Sequence, residues 1–288
     1  LQKFVTLSLK ALFLFLSFTT LSYAQITQSV EGKKQPLWEG GVAMVGALVP
    51  AYPASEDTNF FALPFPAFFY RGDVLRADEE GGMRGRFFKS SNLEVNLSIG
   101  GSLPANSKDV AIRQGMPDLK TMVEVGPGIL STLWKKKGDF NAKLGLNIPV
   151  RTALTVDFFE AKERGIVFNP LLYLITENLF ADGLLSFTGL STVFASHKFQ
   201  KVFYQVDQQF AQPGRAAYGA NSGYLGTTLS QGFARTLFKD TRAFIGGSYN
   251  YYKGSSNENS PLFRRKENFS VAIGLVWWFY ESSTLENN

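Results

Sequence analysis

The chain has 288 residues, no cysteine, a single histidine, 27 glycines and 15% aromatic residues, with a mean hydropathy near zero. Near-neutral hydropathy excludes a helical bundle in lipid, because only one segment approaches an apolar run long enough to span. Lysines and arginines number 29 against 24 aspartates and glutamates, too small and scattered an excess for a nucleic-acid partner.

The apolar segment is at the start. Lys3 and Lys10 flank or enter the run Ala11 to Phe18, and Ser22-Tyr23-Ala24 places small residues where a signal peptidase requires them. This predicts a secretory signal over residues 1–24, cleaved after Ala24, and therefore an exported protein. Without cysteine, an exported fold holds by backbone pairing and burial alone. Residues 25–36 are polar and unpatterned, a periplasmic lead-in to a first strand over about Trp38 to Val49.

A turn-rich stretch, Pro50-Ala51-Tyr52-Pro53-Ala54-Ser55-Glu56, follows, then Leu63-Pro64-Phe65-Pro66 and Tyr70-Arg71-Gly72. Each proline removes a ladder donor, which places Pro64 and Pro66 near a rim or at a bulge. These three segments resemble the N-terminal signature of the MipA/OmpV family of outer-membrane proteins, the MltA-interacting proteins. The resemblance continues at Gly115-Met116-Pro117-Asp118, at Gly214-Arg215 with Tyr218, and at Ser260-Pro261-Leu262. It spans nearly the whole of the chain after the leader.

Val74 to Asp78 and Met83 to Phe88 read as one strand bulged at Gly81-Gly82 or as two short ones. Leu93 to Leu103 and Phe140 to Ile148 alternate apolar and polar residues with a period of two. Met122 to Trp134 lies between them, ending in a hairpin at Lys135 to Asp139. Further strands are expected at about Ile166 to Thr176, Leu184 to Ser196, Lys201 to Phe210, Tyr224 to Leu237 and Ala243 to Lys253, whereas Asp157 to Arg164 reads as a mixed-charge loop. The clearest strand is Asn268 to Tyr280. Phe269, Val271, Ile273, Leu275, Trp277 and Phe279 share one face of it, and its length suits a tilted strand crossing a bilayer, which needs roughly 9–11 residues. Its aromatic end suits an interfacial girdle and resembles the terminal-strand signal of bacterial barrels.

The predicted fold is an all-β, antiparallel transmembrane barrel over residues 37–280, with about 12 strands, 10 or 14 being the alternatives, and a short tail over 281–288. An even count puts both termini in the periplasm. With the 74–88 stretch taken as one strand, Pro104 to Leu119 falls on that side too, as a long periplasmic segment.

No constellation carries catalysis. The lone His197 has no serine two residues on, and no carboxylate pair or calcium-loop spacing stands out, so no catalytic residue, cofactor or metal is expected. Lys135 to Lys137 suit lipopolysaccharide phosphates if that turn faces outward. Candidate lumen residues are the polar members of alternating strands: Glu94, Asn96, Glu124, Asn141, Lys143 and Asn147. The family resemblance implies a non-enzymatic scaffold in the cell outer membrane that brings together a murein lytic transglycosylase and a peptidoglycan synthase. On that reading the periplasmic turns dock the enzymes, together with the 104–119 segment if it lies on that side. A small-solute channel or a surface adhesin is the alternative.

Overall fold

A computed structural model describes residues 36–78, 82–157 and 160–285. The expected signal over residues 1–24, with its cleavage after Ala24, and the lead-in up to residue 35 lie outside the described residues. What is described is a single antiparallel sheet closed on itself. Its strands are β1 (Trp38–Pro50), β2 (Thr58–Arg71), β3 (Leu75–Asp78), β4 (Gly82–Lys89), β5 (Leu93–Ser102), β6 (Met122–Lys136), β7 (Asn141–Asp157), β8 (Glu160–Phe168), β9 (Leu171–Glu177), β10 (Leu184–Ala195), β11 (Gly223–Phe238), β12 (Thr241–Tyr251) and β13 (Glu267–Glu281). Apart from β8 and β9, which do not pair with each other, each pairs with its neighbours in sequence, and β13 pairs with β1 over Glu39↔Glu281 to Leu48↔Val271 to close the barrel. β8 and β9 share one position, because both lie between β7 and β10 and are separated only by Asn169-Pro170. Pro170 lacks a ladder donor and interrupts what is otherwise one strand. The barrel therefore has twelve strand positions.

The alternation read from the sequence sorts the faces. On β13, Phe269, Val271, Ile273, Leu275, Trp277 and Phe279 point outward and are exposed, while Asn268, Ser270, Ala272, Gly274, Val276 and Trp278 point inward and are buried. Aromatic rings cluster near the terminal end of the barrel, where Trp38 stacks on Tyr280 at 4.3 Å.

Several expectations are corrected. The 74–88 stretch is two strands, β3 and β4, and Lys201 to Phe210 is not a strand but helix α1 (His197–Tyr204) followed by irregular chain. The two changes offset each other and keep the count at twelve. Asp157 to Arg164 is not a free loop: its described part belongs to β7 and β8, which pair from Val150↔Phe168 to Asp157↔Glu160. Pro64 and Pro66 lie at neither rim nor bulge; they sit within β2, in an unbroken register with β1.

Having five strands before it rather than four, the 104–119 segment moves to the end of the barrel opposite the termini. That end also carries the chain between β1 and β2, between β10 and β11, and between β12 and β13. The other end carries both ends of the described chain and short turns. In bacterial barrels short turns face the periplasm and long loops face outward. The 104–119 segment accordingly leaves the periplasmic side. Lys135 and Lys136 end β6 and Lys137 follows it at the short-turn end, so they do not reach outward-facing lipopolysaccharide.

Inward aromatic rings lie over inward glycines. A Cβ built on Gly274 would stand 2.5 Å from the Phe244 ring, and one built on Gly145 would collide with the Tyr173 ring. Gly274→Val is expected to displace Phe244 and cost about 1–3 kcal/mol. The check is the urea midpoint of heat-modifiable gel migration, with Gly219→Ala, which has open space around it, as the unchanged control.

Candidate functional site

At the outward end, the connecting segments pack on one another instead of projecting separately. Tyr52, Val110, Leu119, Phe203, Tyr204 and Leu262 form the centre of a second apolar cluster, distinct from the one inside the barrel. α1 is part of this cap: Phe199 and Phe203, one turn apart, are buried with Gln200 and Tyr204, while Lys198 and Lys201 face solvent. Lys198 pairs with Glu163 at 2.6 Å.

Hydrogen bonds between distant segments hold the cap together. The Tyr52 hydroxyl donates to the Leu262 carbonyl at 2.6 Å, and the Tyr204 hydroxyl donates to the Pro53 carbonyl at 3.0 Å. Ser260 Oγ donates to the Tyr204 carbonyl at 2.8 Å. Ala54, held at φ 64°, turns its carbonyl to the backbone N–H groups of Arg264 and Arg265. The buried Arg113 guanidinium donates to Ser107 Oγ and to the Phe203 and Pro117 carbonyls. Arg215, also buried, donates to the carbonyls of Phe210, Ile112 and Gln114 at 2.8 to 3.0 Å. Asn257, fully buried, donates to Gln200 and to the Asn221 carbonyl, and accepts from Asn221 N–H and the Tyr218 hydroxyl. Burial pushes the phenols of Tyr52, Tyr204 and Tyr252 above their ordinary range, so they remain protonated, and Tyr52 and Tyr204 stay donors.

The motif residues collect here. Tyr52, Pro53, Arg215, Tyr218, Ser260 and Leu262 all take part in the bonds above. Gly115 and Gly214, at φ +80° and +81°, supply the left-handed turns beside Met116, Pro117 and Arg215. Pro261 sits between Ser260 and Leu262. Tyr70, Arg71 and Gly72 instead form a latch at the opposite end. Arg71 is 1% exposed, pairs with Glu39 at 3.1 Å and donates to the Pro36 carbonyl, and Arg86 donates to the Gly72 carbonyl.

The barrel interior has two halves. One is apolar, with Phe65, Phe69, Tyr173, Phe187, Phe244 and Trp278 packed together. The other carries charge in pairs: Arg84 with Glu94 at 2.6 Å and Arg151 with Glu124 at 3.0 Å. The six candidate lumen residues all lie on inward strand faces. Glu94 accepts from Arg84 and Asn96; Glu124 accepts from Arg151; Asn141 donates to Glu177 at 3.1 Å. Lys143 is buried, and Asn147 shares its face of β7. Sequence reasoning missed the basic partners Arg84, Arg86 and Arg151 and the acid Glu39. Arg84 and Arg86 flank Gly85 with a period of two, the same signal that located the acids. His197, at the exposed start of α1, is joined to none of these groups. Among the described residues no three histidine, aspartate or glutamate side chains could hold a metal ion.

The family profile of the MltA-interacting protein MipA matches residues 42–279. The chain belongs to the MipA family. As a MipA-family barrel it is a bacterial outer-membrane protein, and membership is consistent with a non-catalytic one. No curated protein sequence matches it. Among solved structures it is similar to the NanC porin, with 9% identity over 82% of this chain and 98% of that one, at a TM-score of 0.37. It is also similar to the CymD monoaromatic hydrocarbon channel, with 11% identity over 86% and 90% of the two chains and a TM-score of 0.32. A third is a loop-deleted OmpT of Vibrio cholerae, with 9% identity over 84% and 99% and a TM-score of 0.31.

Arg215→Ala leaves three carbonyls of the cap without their donor. A loss of about 3 kcal/mol is expected, which opens the cap roughly a hundredfold more often. Limited proteolysis should show faster cleavage within residues 205–222, with the barrel strands unaffected.

Proposed function

We propose that this protein is a non-enzymatic scaffold that holds a murein lytic transglycosylase and a peptidoglycan synthase at the inner face of the outer membrane. The observation that supports this over a small-solute channel is the state of the interior. Inward residues as small as Ala43, Ala47 and Ala272 are buried, and so are the ionic side chains of Arg71, Arg84, Glu124 and Arg151. A water-filled lumen would leave such groups solvated. With the interior packed and the outer mouth covered by the cap, the described residues present surfaces for docking and leave no evident path for a solute among them.

The docking surface is the short-turn end, which faces the periplasm. Lys137, Asp139, Asp182 and Lys239 stand exposed there. This mixture of charges suits reversible association with soluble domains, where rim charges set the rate of encounter more than the affinity. The 104–119 segment takes no part, because it lies at the other end.

A photo-crosslinking residue placed at Asp139 or Asp182 in growing cells should capture a transglycosylase and a synthase, whereas the same residue at Gln209 in the cap should capture neither. Capture from Gln209 alone, or no capture of murein enzymes from the turn end, contradicts the reading.

A further inference from the structure

One stretch of the outer wall departs from the apolar pattern around it. On β1 and β13 the outward residues between the aromatic ends are Val42, Met44, Gly46 and Leu48, and Val271, Ile273 and Leu275. Along the seam of β10 and β11 the outward face carries hydrogen-bonding groups instead. The pair Leu190↔Leu229, both exposed, marks that face, and Thr188↔Gln231 and Thr192↔Thr227 share it by the period of two. The side-chain bonds agree. Thr188 Oγ1 donates to Gln231 Oε1 at 2.6 Å, Thr227 Oγ1 donates to Thr192 Oγ1 at 3.3 Å, and the Tyr224 hydroxyl lies 2.9 Å from Thr227 Oγ1.

Gln231 stands at mid-depth. It lies midway along β11 between the rings of Tyr224 and Phe238, and it pairs with Gly247, which pairs with the exposed Val271 and so aligns with Leu48. In a hydrocarbon core about 30 Å thick, both headgroup layers are then roughly 15 Å away. A carboxamide has two donor hydrogens and an oxygen that accepts twice. Here Thr188 occupies one acceptor site, and one hydrogen goes to the Gly232 carbonyl at 3.2 Å. The second hydrogen has no acceptor among the described residues, and Gln231 is only partly buried. An acyl chain cannot accept it and a headgroup does not reach it. A protein partner can.

The partner that fits is a second copy. Barrels in one membrane share an orientation, so a twofold axis along the bilayer normal brings each residue to its own counterpart at equal depth. A carboxamide is donor and acceptor at once, so two glutamines that meet this way exchange two hydrogen bonds. Beside Gln231, Gly247 has no side chain and leaves the wall indented between Ile245, Tyr249 and Val271, which lets two backbones approach.

We propose that the outward face of β10, β11 and β12 is a contact between two copies of this chain within the membrane, centred on Gln231 and its counterpart. The polar seam is thereby covered by protein and the apolar walls are left to lipid.

The absence of native cysteine makes the test direct. Leu229→Cys, beside Gln231 on the same face, and Met44→Cys, outward on β1, are each refolded into phosphatidylcholine vesicles, oxidised with copper phenanthroline and run on a non-reducing gel. Heat-modifiable migration shows that each barrel has formed. Leu229→Cys should give a disulfide-linked dimer and Met44→Cys only monomer. Adding Gln231→Leu to Leu229→Cys keeps a residue that suits lipid, so folding is retained. It should weaken dimerisation about tenfold, read from the protein-to-lipid ratio at half cross-linking, as expected for two lost hydrogen bonds in a membrane. No dimer from Leu229→Cys, equal cross-linking at positions 229 and 44, or a dimer indifferent to Gln231→Leu would each overturn the proposal.

Discussion

In a bilayer every backbone amide must find a partner within the protein, and this requirement determines most of what the chain does. The β1–β13 ladder meets it by joining the first described strand to the last. With closure fixed, a period of two decides which side chains meet lipid and which meet each other.

The interior and the cap achieve without disulfides what many exported proteins achieve with them. Inside, aromatic rings fill the space above glycines on one side and arginine–glutamate pairs bridge strands on the other. Removing one partner of such a buried pair is costly, about 3–5 kcal/mol, because it strands the other charge. At the mouth, Arg113, Arg215 and Asn257 each collect carbonyl or amide groups from separate loops, so that no connecting segment folds alone. The residues that carry the family resemblance in these loops form the cap's hydrogen bonds and turns. Their identity reflects how the mouth is built, and a catalytic role is not needed to account for it.

Much of the barrel was legible from alternation, most clearly in β5, β7 and β13, where one face is uniformly apolar. The errors have physical causes. Val202, Tyr204 and Val206 alternate like a strand, but Phe199 and Phe203 share a helical face, and burial in the cap decides for the helix. Charges from Asp157 to Arg164 suggested a loop, although strands extending beyond the membrane accept charges freely. The sidedness of residues 104–119 depended on whether two glycines bulged one strand or divided two. The inward acids were found by period, whereas Arg84, Arg86 and Arg151 were missed because their pairing crosses strands distant in sequence. Convergence of the scattered motifs in one cap could not be read at all without the fold.

The central claim is that the barrel is filled and capped, leaving its surfaces to work as a platform. Single-channel recording of refolded residues 25–288 in planar bilayers tests it most directly, with heat-modifiable migration showing that the barrel has formed. A folded and electrically silent barrel is the predicted result. Steady conductance steps whose ion selectivity shifts with Glu124→Gln or Lys143→Gln would contradict it, because those side chains would then line an aqueous path.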